Sequence, residues 1–124
     1  PAPPAGGSGG SGMWAEPIKA RTAPGPKTRA VCANVRAETR PGFDEEFEAQ
    51  LRDLAFHVEA DEDACTSYVI TRALGSRDQF AVHARFVNWV AFQRHAETEH
   101  LTRALPHLTR LLASPVSLEI FFEV

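Results

Sequence analysis

The stretch FAVHARFVNWVAFQRHAETEH, residues 80–100, decides how the rest of the chain is read. Its first seven residues alternate, with Phe80, Val82, Ala84 and Phe86 on one side, as in a strand with one buried face. The period then changes. Val87, Val90, Ala91 and Arg94 fall along one helical stripe, with Asn88 placed to cap the helix and an expected end near Glu97. His95 and His100 close the stretch. A strand that turns straight into a helix ending in histidines brings an aromatic ring and an imidazole towards one pocket.

Outward from this unit the elements follow in order. Gly75-Ser76-Arg77-Asp78 reads as a turn between antiparallel neighbours, and residues 65–72 (CTSYVITR) before it are rich in β-branched and aromatic side chains. Upstream, residues 43–60 form the clearest helix. Phe43, Phe47, Leu51, Leu54 and Val58 make one apolar stripe, and Asp44, Glu45 and Glu46 crowd the first turn where the helix dipole favours them. Asp61-Glu62-Asp63 then reads as an acidic loop, and the acids of residues 38–63 together as a solvated surface. Arg40-Pro41-Gly42 separates this helix from a strand at 29–38, in which Val31, Ala33, Val35 and Ala37 alternate with Cys32, Asn34, Arg36 and Glu38. After residue 100, Leu101, Leu105, Leu108, Leu111 and Leu112 form the apolar side of another helix, where Pro106 predicts a kink or a late start. Ser114-Pro115 stops it, and residues 116–124 (VSLEIFFEV) alternate as a closing strand.

The order is β-α-β-β-α-(α)-β, the split-βαβ or ferredoxin-like arrangement. The expected fold class is α+β: a four-stranded antiparallel sheet with helices on one face. The other face would carry Asn34, His83, Arg85, Glu119 and Phe121. Its mixture of charge and aromatic surface predicts a homodimer through this open face, with Arg85 pairing across it. The domain is assigned to residues 29–124. Residues 1–28 read as a flexible Pro/Gly-rich arm. Within it GGSGGSG has the look of an artificial linker, Met13 is a candidate native start, and Trp14 and Ile18 could pin the arm to the body.

Composition narrows the partners. The net charge of −3 with no basic run excludes nucleic acid on electrostatic grounds. No apolar run approaches the ~18 residues of a membrane span, and no signal-peptide core is visible, so a cytoplasmic protein is expected. Cys32 and Cys65 make neither a disulfide framework nor a zinc pattern and read as buried free thiols. His95 and His100 are five apart across a helix break, which is not the spacing of a helical metal pair, so no metal is expected.

Four short motifs, in order, give the chain a resemblance. They are Arg40-Pro41-Gly42-Phe43, Cys65-Thr66-Ser67-Tyr68, the strand Phe80-Ala81-Val82-His83-Ala84-Arg85-Phe86, and His95-Ala96-Glu97-Thr98-Glu99-His100. Over about residues 29–124 the sequence resembles the antibiotic biosynthesis monooxygenase domain family, dimeric ferredoxin-like α+β barrels. Some members oxidise quinols or anthrone-like aromatics with dioxygen and no cofactor; others bind and cleave haem through an Asn, a Trp and a His. This chain departs from the family pattern at two places: Ala84 stands where a Glu is usual and Phe86 where a Trp is usual. Alternation turns Val35 towards the pocket and Asn34 to the opposite face, one residue from the haem-type Asn position.

What the resemblance implies is a cofactor-independent monooxygenase acting on a small aromatic substrate. His95 would be its general base or proton relay and Tyr68 an orienting hydrogen bond. Phe86, Val82 and Ala84 would form the pocket wall, with extra room where Ala84 replaces a carboxylate. His100 would border the substrate or pin its helix, and Arg72 would hold an anionic substrate group. Two alternatives stand beside this reading: a non-catalytic dimeric module for a hydrophobic small molecule, and haem binding through His95. The plain structural readings are a hydrogen-bonding core histidine, a packing tyrosine and an inert Cys65.

Overall fold

The computed structural model describes residues 28–124, so the expectations for Trp14, Ile18 and the glycine-rich stretch lie outside the described residues. The elements are β1 (Val31–Glu38), α1 (Asp44–Asp61), β2 (Cys65–Arg72), β3 (Gln79–Phe86), α2 (Trp89–Ala96), α3 (Glu99–Arg110) and β4 (Ser117–Phe122). The strands form one sheet in the order β2-β3-β1-β4, with every pair antiparallel. This is the ferredoxin-like α+β arrangement.

Register follows from alternation. Along β1, Val31, Ala33, Val35 and Ala37 sit across from Phe86, Ala84, Val82 and Phe80 of β3. On β1's other edge Ala33 and Val35 face Ile120 and Leu118 of β4. A slip of one residue would turn all these side chains to the wrong side of the sheet, so burial of one face holds the register. Tyr68 of β2 lies across from Ala84, and a bulge between Cys65 and Ser67 interrupts the ladder just before it.

The α1 stripe packs as its spacing requires: Phe47, Leu51, Leu54 and Val58 are all buried. Gly42 enters the helix at φ +90°, a left-handed conformation that glycine adopts without strain. Asp44 departs from the solvated reading. It is buried in the first turn and takes ion pairs from Arg72 at 3.3 Å and Arg77 at 3.0 Å.

The Asn88 cap is as the sequence predicts, with its side-chain oxygen accepting from Ala91 N at 2.9 Å. The stripe on α2 is not. Val87 and Val90 are 42% and 47% exposed, Arg94 is exposed, and the buried side is Trp89, Ala91, Phe92 and His95. α3 begins at Glu99, capped by Thr98, and runs through Pro106 rather than starting late.

The interior has two apolar clusters. One joins α1, α3 and the far ends of β2 and β3; the other joins β1, Ala84, Phe86, Trp89 and Phe92. Tyr68 and Cys65 border both, which puts a seam under the C-terminal half of α2. The helix-free face carries Asn34, His83, Arg85 and Phe121 as expected, and Val69 as well. Val69 and Phe121 are 49% and 53% exposed there. Among the described residues no helix is long and apolar enough to cross a membrane.

Candidate functional site

At the seam lies a cavity of about 60 Å³. Ala33, Val35, Val82, Ala84, Phe86 and Tyr68 line it from the sheet, and Phe92, His95, Leu101 and Leu105 from the helices. The lining is apolar except near His95, Tyr68 and Thr109. Val82, Ala84 and Phe86 therefore sit where alternation placed them. The extra room expected at Ala84 does not appear. Tyr68 lies directly across from it, and the rings of Phe86, Phe92 and His95 close the same end.

His95 is the polar centre of that end. It is 6% exposed, with ring centroids 5.0 Å from Phe86 and 5.8 Å from Tyr68. Its hydrogen bonds to protein run through Nδ1, which lies 3.0 Å and 3.1 Å from the two carboxylate oxygens of Glu62. Glu62 also accepts from His100 Nε2 at 2.5 Å. Burial alone would push the Glu62 carboxyl up, but the hydrogen bonds and electrostatic pull of the two imidazoles, His95 first and then His100, outweigh it and hold the group below its ordinary value. The carboxylate is therefore ionised at neutral pH and accepts from both rings. Thr98 ties down the other end of His95, donating from Oγ1 to the His95 carbonyl at 2.9 Å.

Tyr68 faces the cavity with its hydroxyl pushed far above the usual phenol range, chiefly by burial and then by the nearby Cys65 and Glu62. It is a neutral hydrogen-bonding group and not a base.

His100 and Arg72 are not brought to the cavity. His100 does not line it; it binds Glu62 and stacks on His57, with centroids 6.0 Å apart. Arg72 is committed to the far end of β2, pairing with Asp44 and with Glu48 at 2.8 Å and lying over the Phe80 ring. Local carboxylates satisfy its charge, so it is not free for a substrate anion. Arg85 pairs within its own chain, with Glu123 at 2.6 Å. Cys32 and Cys65 are free but half-buried, and burial pushes the Cys65 thiol up to about 11. Such a thiol is largely un-ionised at neutral pH, which makes it a poor nucleophile.

Glu62 is the residue that the sequence reading missed. It stands in the run Asp61-Glu62-Asp63, where its neighbours suggest solvent, yet its side chain is only 11% exposed. The available signal was the pair of histidines, since two imidazoles approaching one buried site call for a carboxylate.

The residue set for haem does not assemble. Asn34 lies on the opposite face of the sheet, bonded to His83 at 3.1 Å, and Phe86 offers no indole. Only His95 of the three is at the cavity. Among the described residues no group of three or more His, Cys, Asp or Glu is arranged to hold a metal ion.

Comparison with known proteins adds a family and a fold. Residues 30–106 match the profile of the family described as antibiotic biosynthesis monooxygenase. None of the curated proteins matches the chain. Among solved structures, a candidate antibiotic biosynthesis monooxygenase of Caulobacter crescentus CB15 superposes with a TM-score of 0.75 at 22% identity, over 79% of this chain and 92% of that one. Rv0793 of Mycobacterium tuberculosis gives 0.71 at 20% identity, over 77% and 95%. A conserved protein of Methanosarcina mazei Go1 gives 0.73 at 15%, over 79% and 96%. At such identities the likeness is one of fold.

Proposed function

The chain belongs to the antibiotic biosynthesis monooxygenase family, and from that premise we propose that it is a cofactor-independent monooxygenase that oxidises a quinol or anthrone-like aromatic with dioxygen. One observation carries the reading. His95 is a buried imidazole bonded to an ionised carboxylate through Nδ1, and it forms the polar end of an otherwise apolar cavity. That is an environment for a general base rather than for a surface histidine.

In this mechanism the substrate's aromatic ring lies against Phe86 and its hydroxyl faces His95 and Tyr68. The substrate O–H bond breaks as an N–H bond forms on His95. In an apolar site the electron-rich anion that results transfers an electron to dioxygen, the radical pair combines to a peroxide anion, and the proton on His95 returns to it to give a hydroperoxide. Loss of water leaves the quinone, so one oxygen atom enters the substrate, the other departs as water, and the substrate supplies all the electrons. Tyr68, kept neutral by burial, donates to the developing carbonyl oxygen. At about 60 Å³ the cavity is well below the roughly 300–1,000 Å³ of typical small-molecule sites, so binding must part the helices from the sheet.

The test is oxygen uptake with a panel of hydroquinones, naphthoquinols and anthrones. At least one substrate is expected to raise consumption tenfold or more above its own autoxidation, with the hydroxylated quinone or quinone as product. The same small cavity and the lack of a carboxylate at Ala84 favour a second reading, a non-catalytic module for a small hydrophobic molecule. Binding of the panel without any oxygen uptake would establish that module and end the enzyme reading.

We also propose that two copies pair through the helix-free face, where Val69 and Phe121 are exposed beside His83 and Asn34. Sedimentation equilibrium is expected to give twice the chain mass of 13.6 kDa, and Phe121→Asp to give the single mass. A wild-type monomer at tens of micromolar would refute it.

A further inference from the structure

We infer that Glu62 is a positioning residue for His95: it fixes the ring with its proton on Nδ1, so that the basic nitrogen Nε2 is the one left for the substrate. The inference rests on the reading of His95 as the base, and it adds what the bonded carboxylate does there: it selects the ring nitrogen that acts.

Three element ends meet at this carboxylate. Glu62 is the C-cap residue of α1, with its backbone N–H bonded to Val58 O; His95 is in the last turn of α2 and His100 in the first turn of α3. The carboxylate accepts from His95 Nδ1 on both oxygens and from His100 Nε2 on one. An ionised carboxylate has no proton to give. Each contact therefore demands an N–H on the ring, and the demand on His95 falls at Nδ1. The free histidine side chain in water prefers the opposite tautomer, so the placement of this proton is imposed by the fold.

A cluster that only stapled three helix ends together would need no cavity. Here the two rings have different surroundings. His95 lines the cavity and packs against Phe86 and Phe92, while His100 turns away and stacks on His57, whose side chain is 41% exposed. His100 has a separate part. Its bond to one oxygen of Glu62 restrains rotation of the carboxylate, which keeps the pair of bonds to His95 in place.

The proton account is simple. The substrate's O–H proton moves to Nε2, and the ring becomes an imidazolium whose Nδ1–H stays on Glu62. The new positive charge forms about 3 Å from a negative one in a site largely closed to water, where the attraction is strong. No proton passes to Glu62. The proton on Nε2 is given back to the peroxide anion that forms on combination with dioxygen, and the resulting hydroperoxide loses water, its outer O–H leaving with the hydrogen of the attacked carbon.

The test separates this inference from the reaction it serves. Long-range ¹H–¹⁵N NMR of histidine-labelled wild-type protein reads the tautomer directly, with the His95 signals assigned by their absence in His95→Gln. The neutral ring is expected with its proton on Nδ1. In Glu62→Gln the amide offers one acceptor and one donor to two rings, so turnover is expected to fall roughly 10²–10⁴-fold with KM little changed, while the far-UV spectrum keeps its wild-type form. A wild-type ring protonated on Nε2 overturns the inference even in an active enzyme, and so does Glu62→Gln turning over at the wild-type rate. An Nδ1–H ring in a protein that consumes no oxygen upholds the role of Glu62 in placing the proton and overturns only the reaction.

Discussion

Phe47→Asp is expected to abolish cooperative folding. Phe47 is 3% exposed and its ring centroid lies 5.2 Å from that of Phe80, so it forms the first contact of α1 with the sheet. Removing a buried phenylalanine side chain costs about 3–5 kcal/mol. A carboxylate left there without a partner adds several more. Arg72, the cation that lies over the neighbouring Phe80 ring, is already engaged by Asp44 and Glu48. Domains of this size have only about 5–15 kcal/mol to lose. Thermal melts followed by near- and far-UV circular dichroism should show no sharp transition. Phe56→Asp is the control: Phe56 lies on the same helix but is 67% exposed, and its melting point should move little. A Phe47→Asp protein that melts within a few degrees of wild type would mean that α1 does not pack on the sheet by this stripe.

His95→Ala is expected to lower turnover on the best quinol by roughly 10²–10⁴-fold, the usual contribution of a positioned base. The loss should appear in kcat, because the apolar wall of Val82, Ala84 and Phe86 proposed to bind the substrate is untouched. The fold should survive, since Glu62 keeps His100 as a partner and is not left as an unpaired buried charge. The check is steady-state oxygen consumption beside a melting curve. A variant with wild-type kcat would remove His95 from the chemistry and return it to the role of a structural histidine. Together the two substitutions separate what holds the domain up from what the seam does.

Much of the architecture was readable because strands and long helices write their burial into a local period. Residues 65–72 coincide with β2 from end to end, the alternation of residues 80–86 falls within β3, and the Phe47, Leu51, Leu54 and Val58 stripe is buried as spaced. The short helix α2 was read with the wrong face inward. Eight residues give barely two turns, too few for periodicity to set the phase. The cap at Asn88 and the packing of Trp89 and Phe92 set it, so Val90 and Arg94 face outward.

The charged residues were harder to place, since a carboxylate's surroundings depend on what the fold brings to it. Asp44 and Glu62 stand in acidic runs like their exposed neighbours, yet each meets cations from distant segments: Arg72 and Arg77 for Asp44, His95 and His100 for Glu62. Arg72 was read as a substrate contact for the same reason, because nothing within β2 announces Asp44 and Glu48.

Residues 80–100 show the division most clearly. By itself the sequence determined that a strand passes there into a capped helix and that His95 lies close behind Phe86, because hydrophobic alternation and capping act over a few residues. Only the tertiary structure decided which way the helix turns, that Ala84 leaves no enlarged pocket, and that His95 is held by a carboxylate 33 residues earlier in the chain. Those outcomes come from burial and charge pairing between remote segments, which no local pattern encodes.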